Sequence, residues 1–315
     1  MAETVNDLLS FVDLNEIRFR WPSEFIFFCG GRSSNDPRDP VSLRHYLLEE
    51  KKIASRLEAK IVLAEAANQL YRDTSYKDLI TYEEDIAKIS RIVLLIAESS
   101  GSLAELGAFA STEHLMRKLY VIMQEEYYLA ESFVRFGPVK RLENEGATRV
   151  AFYPWRVNGK GRIVKASMRQ HVSELVRFIN DRVSEGNKTF RFGADENSQL
   201  RDFIVVLWLA EVAQAITTER ITEYAGLLGY SISWQRVQDC FYCMKLAGWM
   251  DQCAYSGSTY LIRKSNTGIV ERFAFQPGST VKDTGRWLAL TQKAIAKETA
   301  LKRPFLRTVM ERRNG

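Results

Sequence analysis

The chain has 315 residues, 46% of them hydrophobic and 26% charged, with 44 Lys+Arg against 39 Asp+Glu. That is a globular composition, and the length suits roughly two domains of about 150 residues each. The longest apolar runs, Ile92–Ala97 and Phe203–Ala210, fall far short of the ~20 residues that cross a bilayer.

The opening MAETVNDLL has neither the basic flank nor the apolar run of a signal peptide, and four cysteines do not make a disulfide framework. A cytoplasmic protein with reduced thiols is therefore expected. The net charge of +5 is unevenly divided. Residues 1–189 hold 27 charges of each sign, whereas Phe190 onward holds 17 Lys+Arg and 12 Asp+Glu. A polyanionic partner, if there is one, belongs to the rear of the chain.

Glu24–Gly31 (EFIFFCGG) reads as a buried strand emptying into a tight turn, and Arg32–Pro40 as a loop. A helix is predicted over Leu43–Arg56, a strand over Lys60–Ala64, a helix over Tyr82–Ser90 and a strand over Arg91–Ala97. There follow a helix from Leu103 to Arg117, strands at Leu119–Met123 and Val150–Tyr153, and a helix over Val164–Val183. Continuous apolar strands alternating with helices predict an α/β domain with a parallel sheet, taken as residues 1–185.

Residues 186–198 are polar and read as a linker. Beyond them come helices at Leu200–Ala215, Thr218–Leu227 and Ser233–Ala247. Strands Trp249–Tyr255 and Thr259–Arg263 then flank the turn Ser256-Gly257-Ser258. Three helices and a hairpin predict a winged-helix domain over 199–265. Residues 266–315 read as a basic C-terminal tail, with a helix over Lys293–Arg313 broken at Pro304.

The stretch Glu98-Ser-Ser-Gly-Ser-Leu-Ala-Glu105 joins a buried strand to a helix, at the sheet edge where open α/β folds bind ligands. Its Gly101 and Ser102 offer backbone N–H groups to an anion. Glu105, placed in the first helical turn, would be held ionised by the macrodipole, as suits an oxocarbenium-like transition state at a ribosyl C1′. Ser102-x-x-Glu105 equally spells a capping box, so the same residues fit a purely structural role. Cys29, Gly30, Gly31 and Arg32 form a second candidate, with glycines that admit a sugar or phosphate and an arginine to pair with it. Glu98 is a possible second carboxylate of the site or a structural partner of loop amides. Glu65 and Glu83 read as solvated surface charges. Cys240-x-x-Cys243 lacks further ligands for zinc, so neither metal nor cofactor is expected.

In the rear domain the third helix would present Gln235, Gln238, Asp239 and Tyr242. Candidate contacts to nucleic acid or a protein partner are Arg236, Tyr242, Lys245, Arg263, Lys264, Arg303 and Arg307.

FFCGG, ESSGSLAELGAF, RKLYVIM and SFVRFGPVKRL, in that order between Glu24 and Leu142, resemble the nucleoside 2-deoxyribosyltransferase-like effectors of bacterial retrons. The resemblance implies a Rossmann-like N-glycosidase domain followed by a winged-helix or helical domain. It implies a toxin of an anti-phage defence system that cleaves NAD or a related nucleotide. It also implies restraint by a reverse transcriptase and its msDNA, an RNA–DNA hybrid, within a larger complex. The family's catalytic glutamate falls on Glu105. The cytokinin-activating phosphoribohydrolases share a glycine-rich loop ending in glutamate, but their paired glycines and threonine are unmatched in Ser99-Ser100-Gly101-Ser102. A different class stays open beside the toxin, a non-enzymatic, nucleotide-sensing winged-helix regulator that binds DNA.

Overall fold

The computed structural model describes residues 3–22, 25–34, 36, 38–49, 55–184, 189–265, 267–299 and 301–314. Among these residues ten strands follow in chain order: β1 (Arg18–Arg20), β2 (Phe25–Cys29), β3 (Lys60–Leu63), β4 (Ile92–Ala97) and β5 (Leu119–Gln124), then β6 (Val150–Tyr153), β7 (Thr189–Arg191), β8 (Met250–Tyr255), β9 (Ser258–Arg263) and β10 (Val270–Arg272). The chain divides into two compact units. One comprises Glu24–Gln69 and Asp78–Gly186; the other comprises Met1–Ser23, Leu70–Lys77 and Asn187–Gly315. No helix among the described residues is long and apolar enough to cross a membrane.

The first unit carries a five-stranded, all-parallel, Rossmann-like sheet in the order β3-β2-β4-β5-β6. Parallel strands need helical crossovers, which cover both faces and explain why FIFFC and IVLLIA are apolar at every position. Ile26, Phe28, Leu94, Ile96 and Ile122 form one core layer with Leu43 and Leu47 of the Leu43–Glu49 helix and Leu175 and Ile179 of the Val172–Ser184 helix. Alternate residues, Cys29 among them, face the other side. The strand order reverses between β2 and β4, since β3 is added on one side of β2 and β4, β5 and β6 follow on the other. That reversal opens a crevice at the carboxyl ends of β2 and β4.

The predicted strands and helices of this unit are present with shifted bounds, except that the helix predicted over Val164–Val183 is two helices, Lys165–Met168 and Val172–Ser184. The helix predicted from Leu103 starts at Ser100 and ends at Ser111, and a short second helix spans Glu113–Met116. The helix predicted over Leu43–Arg56 is described as Leu43–Glu49, and residues 50–54 of that expectation lie outside the described residues.

The second unit contains the three predicted helices, at Arg201–Ala213, Thr218–Leu227 and Trp234–Ala247, followed by the antiparallel β8–β9 hairpin. Ile216 bridges to Leu261 of the hairpin. Two parts of the sequence reading need correction here. Residues 189–191 of the expected linker form β7, which pairs with β1 and so belongs to a three-stranded sheet, β10-β1-β7. The expected tail is folded: β10 completes that sheet, and helices span Thr284–Glu298 and Arg303–Asn314.

Residues 1–23 accordingly sort with this unit. Phe19 of β1 is fully buried against Phe192 and Trp208, and the Trp287 indole N–H donates to the Leu8 carbonyl at 2.7 Å. Trp287 also stacks on Trp208, with ring centroids 6.1 Å apart. Pro304 sits in the first turn of the last helix, where its missing N–H costs no hydrogen bond.

Candidate active site

The crevice at the β2/β4 reversal is built from three chain segments. β2 ends in Gly30 and Gly31. Gly30 has φ +151°, and a Cβ there would lie 3.2 Å from Arg44 Cδ. A Cβ on Gly31 would lie 2.8 Å from Ser42 Cβ and 2.9 Å from Glu98 Oε1, so this position admits no side chain.

The reason is Glu98, the residue after β4. Its Oε1 accepts from the amides of Gly31 (3.2 Å) and Arg44 (3.1 Å), and its Oε2 from Leu43 N. One carboxylate thus satisfies the opening N–H groups of the Leu43–Glu49 helix and ties the glycine turn to them. Burial pushes the Glu98 carboxyl above its ordinary value, and the three backbone bonds oppose that shift. Of the two sequence readings of Glu98, this geometry realises the bond to loop amides.

Arg44, from the same helix, is fully buried. Its Nε donates to the Gly31 carbonyl at 2.8 Å, and its two terminal nitrogens hold Glu65, one at 2.6 Å from Oε2. Glu65 therefore does not stand as a lone solvated charge; it neutralises an interior arginine.

The start of the Ser100–Ser111 helix decides between the two readings of Glu105. The N-cap is Ser99, whose hydroxyl accepts from Ser102 N at 3.2 Å, while Ser102 Oγ accepts from Ser99 N at 2.9 Å. The capping box is therefore Ser99–Ser102, and Glu105 takes no part in it. Glu105 lies in the second helical turn, not the first, so the expected macrodipole stabilisation of its ionised form does not apply.

Burial instead pushes the Glu105 carboxyl up to about 7, against the pull of Arg44. Its Oε2 is buried without a hydrogen-bond partner among the described residues. Glu83, on the Leu79–Ile89 helix, is buried at 6% exposure and pushed up to about 8, by burial and then by the charge of Glu105. The surface assignment of Glu83 is thus overturned. Cys29 lies in the same neighbourhood, where burial and then the charges of Glu105 and Glu83 raise its thiol.

A cleft of about 410 Å³ opens over this edge. Gly31, Arg32, Glu98, Ser99, Ser100 and Gly101 line it, with Gln124 at the end of β5, Tyr127 beyond it and Trp155 after β6. The amides of Ser100 and Gly101, the first two of the helix, have no protein acceptor among the described residues, which makes this end of the cleft receptive to an anion. Glu105 is not among the lining residues; it stands about 7.5 Å further along the helix axis from Ser100, at 1.5 Å per residue.

Two sequence candidates cannot touch a ligand as placed. Cys29 is 0% exposed, because it is the inward residue of a central strand. Ser102 is 1% exposed, with its amide and hydroxyl consumed in the cap. Gly30 is half-buried and outside the lining, whereas Gly31, Arg32, Glu98 and Gly101 face the cleft. Sequence reasoning passed over Arg44 altogether. The signal for it is weak, since an arginine in the second position of a helix normally reads as solvated.

In the second unit, the expected nucleic-acid contacts are largely engaged internally. Arg236 Nε binds Asp202 at 2.7 Å, and Asp239 accepts from the Ser75 hydroxyl at 2.8 Å. Arg263 is 3% exposed, bound to Glu211 and the Thr267 carbonyl, so it is not available to a polyanion. Lys245 is half-buried over the Phe241 ring at 5.8 Å, and Tyr242 is half-buried beside Gln238 and Thr217 in a second cleft of about 520 Å³. Lys264 and Arg307 are exposed, and the side chain of Arg303 lies outside the described residues.

With this geometry in view, the comparisons with known proteins are specific. Residues 40–252 match the family described as "STM3845 retron effector protein". The chain is 33% identical over 118 residues to the Escherichia coli "Retron Ec86 putative ribosyltransferase/DNA-binding protein", covering 37% of this chain and 36% of that one. It is 25% identical over 139 residues to the E. coli "Retron Ec73 putative ribosyltransferase/DNA-binding protein", 43% of each. These matches span about two fifths of the length of the curated relatives. The family match covers about two thirds of the chain, including the Leu43–Glu49 helix and the Glu98–Glu105 stretch of the crevice but not the Gly30–Arg32 turn, and the protein belongs to the STM3845 retron effector family.

Proposed function

We propose that this retron effector is an N-glycosidase-type toxin that breaks the C1′–N bond of NAD or a related nucleotide. The observation that carries the reading is Glu105, a carboxylate left out of the helix cap, half-buried, with one oxygen unpartnered among the described residues. It stands in the second turn of the helix that follows β4 at the reversal of the parallel sheet, and the opening N–H groups of that helix suit an anion. The names of the relatives, which include ribosyl transfer, support the same chemistry.

In this reading the Ser100 and Gly101 amides and Arg32 take phosphate or sugar oxygens, and the ribose extends along the helix toward Glu105. Glu105 in its ionised form attacks or stabilises C1′ as the oxocarbenium character develops. The C1′–N bonding pair leaves with the base, and the ribosyl group passes to water or another acceptor. Glu83, with the higher pKa of the two, carries the proton through neutral pH, which lets Glu105 be the ionised member of the pair.

The second unit is read as a winged-helix module, from its three helices and hairpin. Its proposed partners are the retron reverse transcriptase and msDNA, which hold the toxin silent. The test is expression with and without Glu105→Gln, followed by measurement of NAD and nucleotide pools. Loss of a pool with wild type alone supports the reading. Equal depletion by both proteins removes Glu105 from the chemistry. Unchanged pools in both, together with salt-sensitive binding to a duplex, favour the non-catalytic DNA-binding regulator.

A further inference from the structure

The β10-β1-β7 sheet has an unusual outer face. β1 is its central strand, and Arg18 is paired directly with Arg272 of β10 on one side and Arg191 of β7 on the other. Arg20, two residues along β1, faces the same way, and all four arginines are exposed. Neighbouring strands lie about 4.8 Å apart, so three guanidinium stems cross about 10 Å of surface in a single row.

Like charges directly opposite on adjacent strands are destabilising, and folding alone gives no reason to collect them here. The inner face fixes the register. Phe19 is 0% exposed and pairs with Phe190 and Val270, so a one-residue slip would bury arginines and expose aromatics. An irregularity at Glu271 lets Val270 stay opposite Phe19 while Arg272 stays opposite Arg18. The nearby carboxylates are few. Arg191 pairs with Glu16 at 3.0 Å, with both side chains about half exposed, and such surface pairs contribute little. Glu271 is the second carboxylate at hand, and Arg18, Arg20 and Arg272 form no ion pair among the described residues.

We propose that this arginine face is where the second unit grips the phosphate backbone of a nucleic acid. The proposal rests on the reading above that this unit's partner is nucleic acid, and it moves the contact from the third helix, whose Arg236 and Asp239 are engaged internally, to the sheet. One strand of a duplex presents a phosphate about every 3.4 Å of axis, so about three lie across a 10 Å row. All four cations are arginines, whose planar forks match phosphate oxygens. None of the exposed large apolar residues among those described lies on this sheet, which favours a polyanion over a lipid surface.

The test uses the full-length protein and labelled single-stranded DNA, duplex DNA and RNA–DNA hybrid, with affinity measured by anisotropy across 50–300 mM salt. In Arg18→Gln/Arg20→Gln/Arg272→Gln, the slope of log K against log salt for single-stranded DNA should fall in magnitude by about 2, and affinity at 0.1 M salt by roughly 100-fold. Lys293→Gln/Lys297→Gln, exposed cations of the Thr284–Glu298 helix, should leave the slope unchanged. The triple variant should melt no lower than wild type, because it loses repulsion, and this separates lost binding from lost folding. Binding with an unaltered slope overturns the sheet assignment while leaving the nucleic-acid reading intact. Absence of wild-type binding to every nucleic acid at 50 mM salt overturns both, as does preference for polyglutamate over all three.

Discussion

Ser99 and Ser102 cap one helix end against each other, each hydroxyl accepting the other's amide at 3.2 and 2.9 Å. Because the cap closes between these two residues, Glu105 is released from any structural duty at the helix start. Ser99→Ala should therefore lower stability by about 1 kcal/mol, and Ser102→Ala by a similar amount. Glu105→Gln should lower it by much less. Urea denaturation of the three variants decides this; a loss in Glu105→Gln equal to the serine losses would return Glu105 to the cap.

Glu98 holds two segments together through three backbone amides. Glu98→Ala strands those donors in a half-buried site, and a loss of about 2–4 kcal/mol is expected. Thermal melts should show it, and nucleotide binding should weaken as the Gly31 turn loosens. An unchanged melting temperature would mean that the three bonds are not a structural tie.

Gly31→Ala forces a methyl group to within 2.8 Å of Ser42 Cβ and 2.9 Å of Glu98 Oε1. Overpacking of this kind costs about 1–3 kcal/mol. The crystal structure of the variant should show Glu98 displaced from the Gly31 amide. A variant as stable as wild type, with Glu98 in place, would contradict the close approach described here.

Much of the first unit is legible in the sequence because strands covered on both faces are apolar at every position. FIFFC and IVLLIA announce themselves without knowledge of their neighbours. The three helices and hairpin of the second unit are legible for a similar reason, from helical spacing and the Ser-Gly-Ser turn. The three-stranded sheet is not, because β1, β7 and β10 are three residues each and pair over separations of about 170 and 250 residues. No local periodicity reports such pairing.

The site is legible only at its string of small residues and Glu105. The string shows where a helix begins to within a few residues, and three residues are what separate a first-turn capping glutamate from a second-turn unpartnered one. Glu83 reads as a surface charge and Arg44 draws no notice because burial of a charge is a tertiary fact, decided by what packs over the helix.

The buried acids make stability fall as pH rises. Glu83 and Glu105 have folded values of about 8 and 7 against 4.5 for the free side chain. The folded chain therefore binds more protons than the unfolded one between about 4.5 and 8. Their contribution is complete below 4.5 and is lost through the window up to 8. Glu83→Gln should be more stable than wild type at pH 8.5, by about 1–3 kcal/mol, and nearly equal to it at pH 5. Melting temperatures across that range check the sign. A wild type that gains stability from pH 5 to 8 relative to the variant would show that Glu83 is ionised and well solvated.

The central claim is that the Glu105 carboxylate acts at the anomeric carbon. Purified wild type and Glu105→Gln, matched for folding by thermal melt, should be incubated with NAD, nucleotides and nucleosides, and free base quantified by chromatography between pH 5.5 and 8.5. Wild type should release base from at least one nucleotide, with an acid limb near pH 7, and Glu105→Gln should lose at least 100-fold of that rate. Equal release by the two proteins, or a wild-type rate flat through pH 7, would contradict it.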